Sequence, residues 1–124
     1  MFEQKIKTFE DLEAWQAAHK FVLAIYKITK KFPKDELYGI ISQLRRAALS
    51  ITSNIAEGFS RYHYKDKIRF YYNARGSVSE VRNCLILSKD MGYITKEEHG
   101  NLLPETERIL KIINGMIRSI EKQQ

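Results

Sequence analysis

The chain has 124 residues, 44% of them hydrophobic and 29% charged, which fits one folded domain and excludes a disordered chain. Its 6 glycines and 2 prolines exclude a collagen-like or linker-rich polymer. Basic residues outnumber acidic ones 21 to 15, leaving +6, a balance that favours acidic partners without naming one.

Four segments carry helical periodicity, and almost nothing reads as strand. The first helix is predicted over residues 9–32. Thr8 is its N-cap, with Asp11 three residues later, and Leu12, Trp15, Ala18, Val22, Ile25 and Thr29 recur every three or four positions. Phe32-Pro33 ends it, because the residue before a proline avoids the α region. The second helix is predicted over 36–58, with Asp35 as N-cap and an apolar stripe of Ile40, Leu44, Ala47, Ile51 and Ile55. Gly58 is read as a left-handed cap just past its end.

The third helix is predicted over 64–91, with Tyr71, Ala74, Val78, Val81 and Leu85 on one face and Gly92 closing it. Gly39 and Gly76 fall inside helical patterns, each costing up to about 1 kcal/mol relative to Ala, and close helix packing would explain both. The fourth helix is predicted over 95–121. It starts at Thr95 with Glu97 and Glu98 in the first turn, and Leu102, Ile109, Ile113, Met116 and Ile120 line one face. A proline inside a helix costs about 3 kcal/mol, so Pro104 predicts a kink, or a late start near Leu103. Four amphipathic helices with short connections specify an all-α, antiparallel up-and-down four-helix bundle, a single domain over residues 1–124. Residues 1–7 and 121–124 are expected to fray.

One cysteine, Cys84, cannot close an internal disulfide, which points to a reducing, cytoplasmic compartment. The opening Met-Phe-Glu-Gln-Lys lacks the apolar core of a signal peptide. No apolar run approaches the roughly 18 residues of a membrane span, so no membrane partner is expected.

The charge is uneven. Residues 62–93 carry +3, whereas 94–124 are neutral. From Ser60 to Arg75, the cations Arg61, Lys65, Lys67, Arg69 and Arg75 interleave with Tyr62, Tyr64, Phe70, Tyr71 and Tyr72. Such cations can neutralise phosphates, and exposed rings can stack on bases, so these five are candidate nucleic-acid contacts. Structural packing is the competing reading, since rings on helices usually pack and cations usually solvate a face. Lys5, Lys7, Arg118 and Lys122 would lie at the same end of an up-down bundle. Lys27, Lys30, Lys31 and Lys34 sit at a helix C-terminus and read as structural, complementing the dipole.

Gln43, Arg46, Ser50, Asn54 and Glu57 form a polar line on the second helix, which Asn73, Ser77 and Glu80 would face from the third. An Arg46–Glu80 pair and an Asn54–Ser77 contact are expected. Together, Arg46, Asn54, Glu57, Ser77 and Glu80 form a candidate interhelical network, fixing register or serving a subunit interface. A ligand-binding cleft is the alternative.

Catalytic constellations are absent from the pattern. A di-iron bundle needs Glu-x-x-His, but Gln16, Ser60 and Lys96 stand three residues before His19, His63 and His99. Cys84 has no cysteine partner for zinc, and no phosphate loop or serine elbow occurs. No catalytic residue, metal or cofactor is expected, and the protein is read as non-enzymatic.

The string Trp15, Ala18, Tyr26, Thr29, Phe32-Pro33, Glu36, Tyr38-Gly39-Ile40, Gln43, Arg45-Arg46-Ala47, Ser50-Ile51, Asn54-Ile55-Ala56-Glu57-Gly58 and Arg61 resembles the 23S rRNA intervening-sequence protein family, also called the four helix bundle protein family. Ala74, Gly76-Ser77, Glu80 and Gly92-Tyr93 continue the likeness across nearly the whole chain. The resemblance implies bacterial origin and a left-handed four-helix bundle assembled as a homopentamer. It implies no established biochemical activity, and an association with insertions in 23S rRNA genes. The family is also similar in fold to basic pentameric bundles that accompany diversity-generating retroelements and bind nucleic acid. Its signature falls on Arg45, Arg46, Asn54, Glu57, Gly58, Gly76, Ser77 and Glu80. Around His63 and Lys67 this chain departs from the pattern, which makes the Tyr-Lys-rich segment a local feature. The expected function is a non-enzymatic, oligomeric bundle associated with RNA or another nucleic acid. The alternative is a protein-interaction scaffold with an unknown protein partner.

Overall fold

In the computed structural model, which describes residues 5–123, four helices follow one another: α1 (Glu13–Thr29), α2 (Ser42–Ser60), α3 (Tyr64–Asp90) and α4 (Lys96–Gln123). No strand occurs among the described residues. The architecture is the all-α four-helix bundle expected from the apolar spacings. Leu44, Ile51 and Ile55 of α2, Val78, Val81 and Leu85 of α3, and Ile109 and Ile113 of α4 close on Phe21 and Ile25 of α1. The predicted stripes face this core, except that Leu12, Trp15 and Met116 are only partly buried, with Ile117 deeper than Met116.

The helix ends show where local signals act differently. Asp11 Oδ2 accepts the backbone N–H of Lys7 at 2.9 Å and of Thr8 at 3.0 Å. Those two bonds hold its carboxyl below the usual aspartate range. The turn they close is a short 3₁₀ segment, Phe9–Asp11, and an extended Leu12 separates it from α1. The capping signal at Thr8 therefore opens a preliminary turn, not the helix itself. α1 stops at Thr29, whose hydroxyl donates to the Ile25 carbonyl at 2.8 Å.

α2 begins six residues later than Asp35 suggests. A 3₁₀ turn (Lys34–Glu36) and a π-turn (Leu37–Ile41) fill the interval, with Gly39 at φ −109°, ψ −116°. Gly39 therefore marks an irregular entry rather than close helix packing. Gly76 is likewise not a packing glycine, because a Cβ there would meet nothing within 4 Å. Gly58 is the close-approach residue. It lies inside α2, not beyond it, and an added Cβ would stand 2.6 Å from Tyr71 Cε1 of α3.

α3 ends as predicted at Gly92, with φ +79°. The Tyr93 N–H bonds the Ser88 carbonyl at 2.8 Å and the Gly92 N–H bonds that of Lys89 at 3.0 Å, a Schellman closure. Thr95 and Glu98 then cap α4 reciprocally: Glu98 N–H donates to Thr95 Oγ1 at 3.0 Å, and Thr95 N–H to Glu98 Oε1 at 2.8 Å. α4 runs from Lys96 through Pro104 without a late start, and it stays helical through Gln123, where fraying was expected. Pro104 has no N–H to give the Gly100 carbonyl one turn earlier, yet the helix continues through it. Residues 5–7 lie outside any helix, and the expected fraying at 1–4 and 124 lies outside the described residues. Among the described residues, no helix is long and apolar enough to cross a membrane.

Three contacts tie the α1–α2 connection to the α3–α4 connection. Tyr93 donates its hydroxyl to Glu36 Oε2 at 2.7 Å, Phe32 packs on the Tyr93 ring at 5.4 Å, and Lys31 pairs with Glu98. The Glu36 bond pushes the Tyr93 phenol upward in pKa.

Candidate nucleic-acid interface

The α2–α3 corner is three residues long, Arg61 to His63, and it brings the cationic stretch onto one end of the bundle. Tyr62 stands almost fully out at 89% exposure, edge-on to His63 at 5.1 Å, and Tyr64 is 42% exposed. Large rings facing water are free to stack on planar groups. The first 3₁₀ turn packs here too, since Phe9 shares a hollow with Glu57 and Ser60 of α2. The end of α4 reaches the same region, where Tyr72 donates its hydroxyl to Glu121 Oε2 at 3.3 Å. Lys7, Arg118 and Lys122 are exposed on these converging segments.

The five cations divide into two kinds. Lys67 is half-buried and donates from Nζ to the carbonyls of Gly58 at 2.9 Å and Phe59 at 3.0 Å. It adds a second donor to the Gly58 carbonyl, which also accepts the Arg61 N–H at 3.2 Å, and it serves the Phe59 carbonyl at the helix end; burial pushes its pKa down. Arg75 donates to Asn114 Oδ1 of α4 at 3.0 Å and covers the Tyr72 ring at 4.8 Å. Both are committed inside the protein. Arg61 pairs with Glu57 at 3.2 Å, one turn earlier, and lies 4.6 Å over Phe70. Arg69 covers the same Phe70 ring at 5.1 Å. Lys65 and Arg69 are exposed and have no carboxylate partner among the described residues. The nearest acid in sequence, Asp66, occupies the first turn of α3, where the helix dipole favours it. The corner thus presents Lys65, Arg69, a partly paired Arg61 and the Tyr62 ring to solvent.

The polar line between α2 and α3 is rearranged from its expected form. Ser50 is the hub: Asn54 Nδ2 donates to its carbonyl at 2.8 Å and its hydroxyl at 3.0 Å, while Ser77 Oγ sits 2.8 Å away. Asn54 and Ser77 therefore meet through Ser50 rather than directly. Glu80 accepts from Gln43 Nε2, not from Arg46. Arg46 turns outward from α3 and lines a 400 Å³ hollow with Tyr26, Tyr38, Arg45 and Leu49. Glu57 serves only Arg61 of its own helix.

That hollow escaped the sequence reading. Arg45 fixes it, donating from Nε to Thr29 Oγ1 at 2.8 Å and lying 4.9 Å over Tyr26. Around it Leu23, Leu37, Tyr38 and Leu49 are each about half exposed or more. The signal lay in positions such as Leu23 and Leu49, which sit off the core stripes.

Cys84 is buried, and burial together with the Glu80 charge pushes its thiol pKa up, the opposite of an activated nucleophile. Among the described residues, no three His, Cys, Asp or Glu side chains converge in a way that could hold a metal ion.

A family model described as 23S rRNA-intervening sequence protein matches residues 10–115. Among solved structures, one of a protein of unknown function from the S23 ribosomal protein family, from Bacteroides thetaiotaomicron VPI-5482, is similar with a TM-score of 0.75. It shares 22% identity over 84% of this chain and 97% of that one, so the likeness concerns the fold. No curated protein sequence matches the chain.

Proposed function

The chain belongs to the 23S rRNA-intervening sequence protein family, and from that premise we propose that it is a non-enzymatic, cytoplasmic bundle that self-associates and binds structured RNA. The observation that carries the reading is the α2–α3 corner, where Lys65 and Arg69 lack acidic partners and Tyr62 is 89% exposed. Cations without internal partners exchange small counterions for phosphates at little cost to the fold. Lys67 and Arg75 belong to the scaffold of the corner, not to its contact set.

Self-association is supported by the α1–α2 face, where Leu23, Tyr26, Tyr38 and Leu49 leave apolar area facing water. The family resemblance gives a pentamer as the expected size. In such a particle each copy adds +6, so the field at the corners grows with assembly.

The test is a titration with structured RNA at two salt concentrations, beside sedimentation of the free protein. Binding that weakens steeply with salt and is lost in the Lys65→Glu, Arg69→Glu double variant is expected. No binding at low salt, or binding indifferent to that variant, overturns the reading. A protein-interaction scaffold is the second reading, favoured by the same apolar α1–α2 face. It is preferred if a protein partner survives nuclease treatment while RNA affinity is absent.

A further inference from the structure

A hollow lies on the seam between α1 and α4, far from the corner described above. Its volume is about 550 Å³, within the range that accepts small organic ligands. Its apolar lining is Ala24 and Ile28 from α1 and Leu102 from α4. Ala24 leaves room on the α1 wall, and Asn101 and Leu102 form the α4 wall.

The rim is cationic. Lys27, Lys30 and Lys31 all border the hollow, against a single acid, Glu98. Lys27 lies in the last turn of α1 and offsets its carbonyl ends, while Lys30 and Lys31 stand beyond the helix. Glu98 already satisfies Lys31 and accepts the Thr95 N–H, and these bonds hold its carboxyl below the usual glutamate range. A carboxylate thus sits on one of the three ammonium groups. Lys27 and Lys30 have no such partner among the described residues.

We propose that the α1–α4 groove is a binding site for a small amphiphilic carboxylate, its apolar body on Ala24, Ile28 and Leu102 and its anionic head between Lys27 and Lys30. Two features select this chemistry. The apolar floor rewards a hydrocarbon or aryl body through burial. The excess positive rim rewards one negative charge at the end of that body and penalises a positive one. The site is separate from the RNA-binding corner, and from the α1–α2 face, which lies on the opposite flank of α1 around Tyr26.

The probe is decanoate below its micelle concentration, followed by calorimetry and by amide and methyl shifts of the full chain. Saturable binding with shifts centred on Ala24, Ile28 and Leu102 is expected, with 1-decanol and decyltrimethylammonium bound more weakly. Lys27→Gln with Lys30→Gln weakens decanoate, each lysine by about threefold. Glu98→Gln keeps a cap-forming side chain but releases Lys31, so it tightens decanoate by about threefold while leaving 1-decanol unchanged. Lys65→Gln with Arg69→Gln leaves decanoate binding unchanged, which separates this site from the RNA corner. Shifts that avoid the groove overturn the proposal. Equal affinity for decanoate and 1-decanol, or a Glu98→Gln variant that binds decanoate no better, also overturns it.

Discussion

Two lysine-rich clusters lie at different places in the bundle, and their fates run against their sequence contexts. The stretch from Arg61 to Arg75 alternates cations with rings and looks built for a polyanion, yet its Lys67 is spent on the carbonyls of Gly58 and Phe59. The run from Lys27 to Lys34 looks like a helix terminator dressed with charge, yet Lys27 and Lys30 rim the α1–α4 groove. A cation's role depends on what its immediate neighbours leave unsatisfied, not on how many cations surround it. At the α2–α3 corner the Phe59 carbonyl and the second acceptor position of the Gly58 carbonyl lie within reach of one lysine, which is consumed there. At the end of α1 the carbonyls are partly closed by backbone bonds from Lys30, Lys31 and Phe32, so the lysine heads stay outside.

The comparison can be broken at several points. The largest effect is expected from Gly58→Val, which forces a side chain into the Tyr71 ring and tests whether tight packing builds the corner. A loss of about 2–3 kcal/mol is expected in urea unfolding. An unchanged midpoint would show that α2 and α3 can separate there freely. Lys67→Met comes next: removing a donor from two carbonyls should cost about 1–2 kcal/mol by the same measurement. If Lys67→Met instead leaves stability intact and abolishes RNA binding, the division of the five cations is wrong. Lys65→Gln with Arg69→Gln should move stability by no more than about 0.5 kcal/mol. It should lower the slope of log affinity against log salt by about 1.4 if two single-strand phosphate contacts are lost. The smallest effect concerns Glu98, whose carboxyl is depressed by the Lys31 bond and then by the Thr95 N–H. A depressed carboxylate stabilises the fold above its unfolded value and loses that contribution as pH falls through the folded one. Urea midpoints should therefore decline below about pH 4.3, and Glu98→Gln should flatten part of that decline.

Much of the bundle could be read from residues alone, because its signals are local and periodic. Ile40, Leu44, Ala47, Ile51 and Ile55 repeat with the helix and are all buried. Gly92 and the Thr95–Glu98 pair end one helix and start the next by backbone rules that need no tertiary knowledge. The family resemblance of the sequence and the matching family model agree on residues 10–115. What stayed hidden depends on rotation and register between helices. Gln43 and Arg46 are both candidates to meet Glu80, and only the packed rotation of α2 selects Gln43. Gly58 resembles a terminator until Tyr71 is seen to need its missing side chain. The irregular turns from Lys34 to Ile41 replace a helical start, because no period in sequence marks where a π-turn ends. The α1–α4 groove is lined by residues of two helices that are distant in sequence, a void being the one feature no single segment encodes.

The hydrogen bond from Tyr93 to Glu36, with the Phe32–Tyr93 stack and the Lys31–Glu98 pair beside it, latches two loops at one pole. At the opposite pole α3 meets α4 through the Tyr72–Glu121 and Arg75–Asn114 hydrogen bonds described above, and neither involves the three corner residues. Thermal breathing should start at that looser pole and die out toward the latched one, so amide exchange will grade along the long axis. The cationic face of Lys65 and Arg69 is then mounted on the compliant end, while the groove keeps its shape on the stiff one.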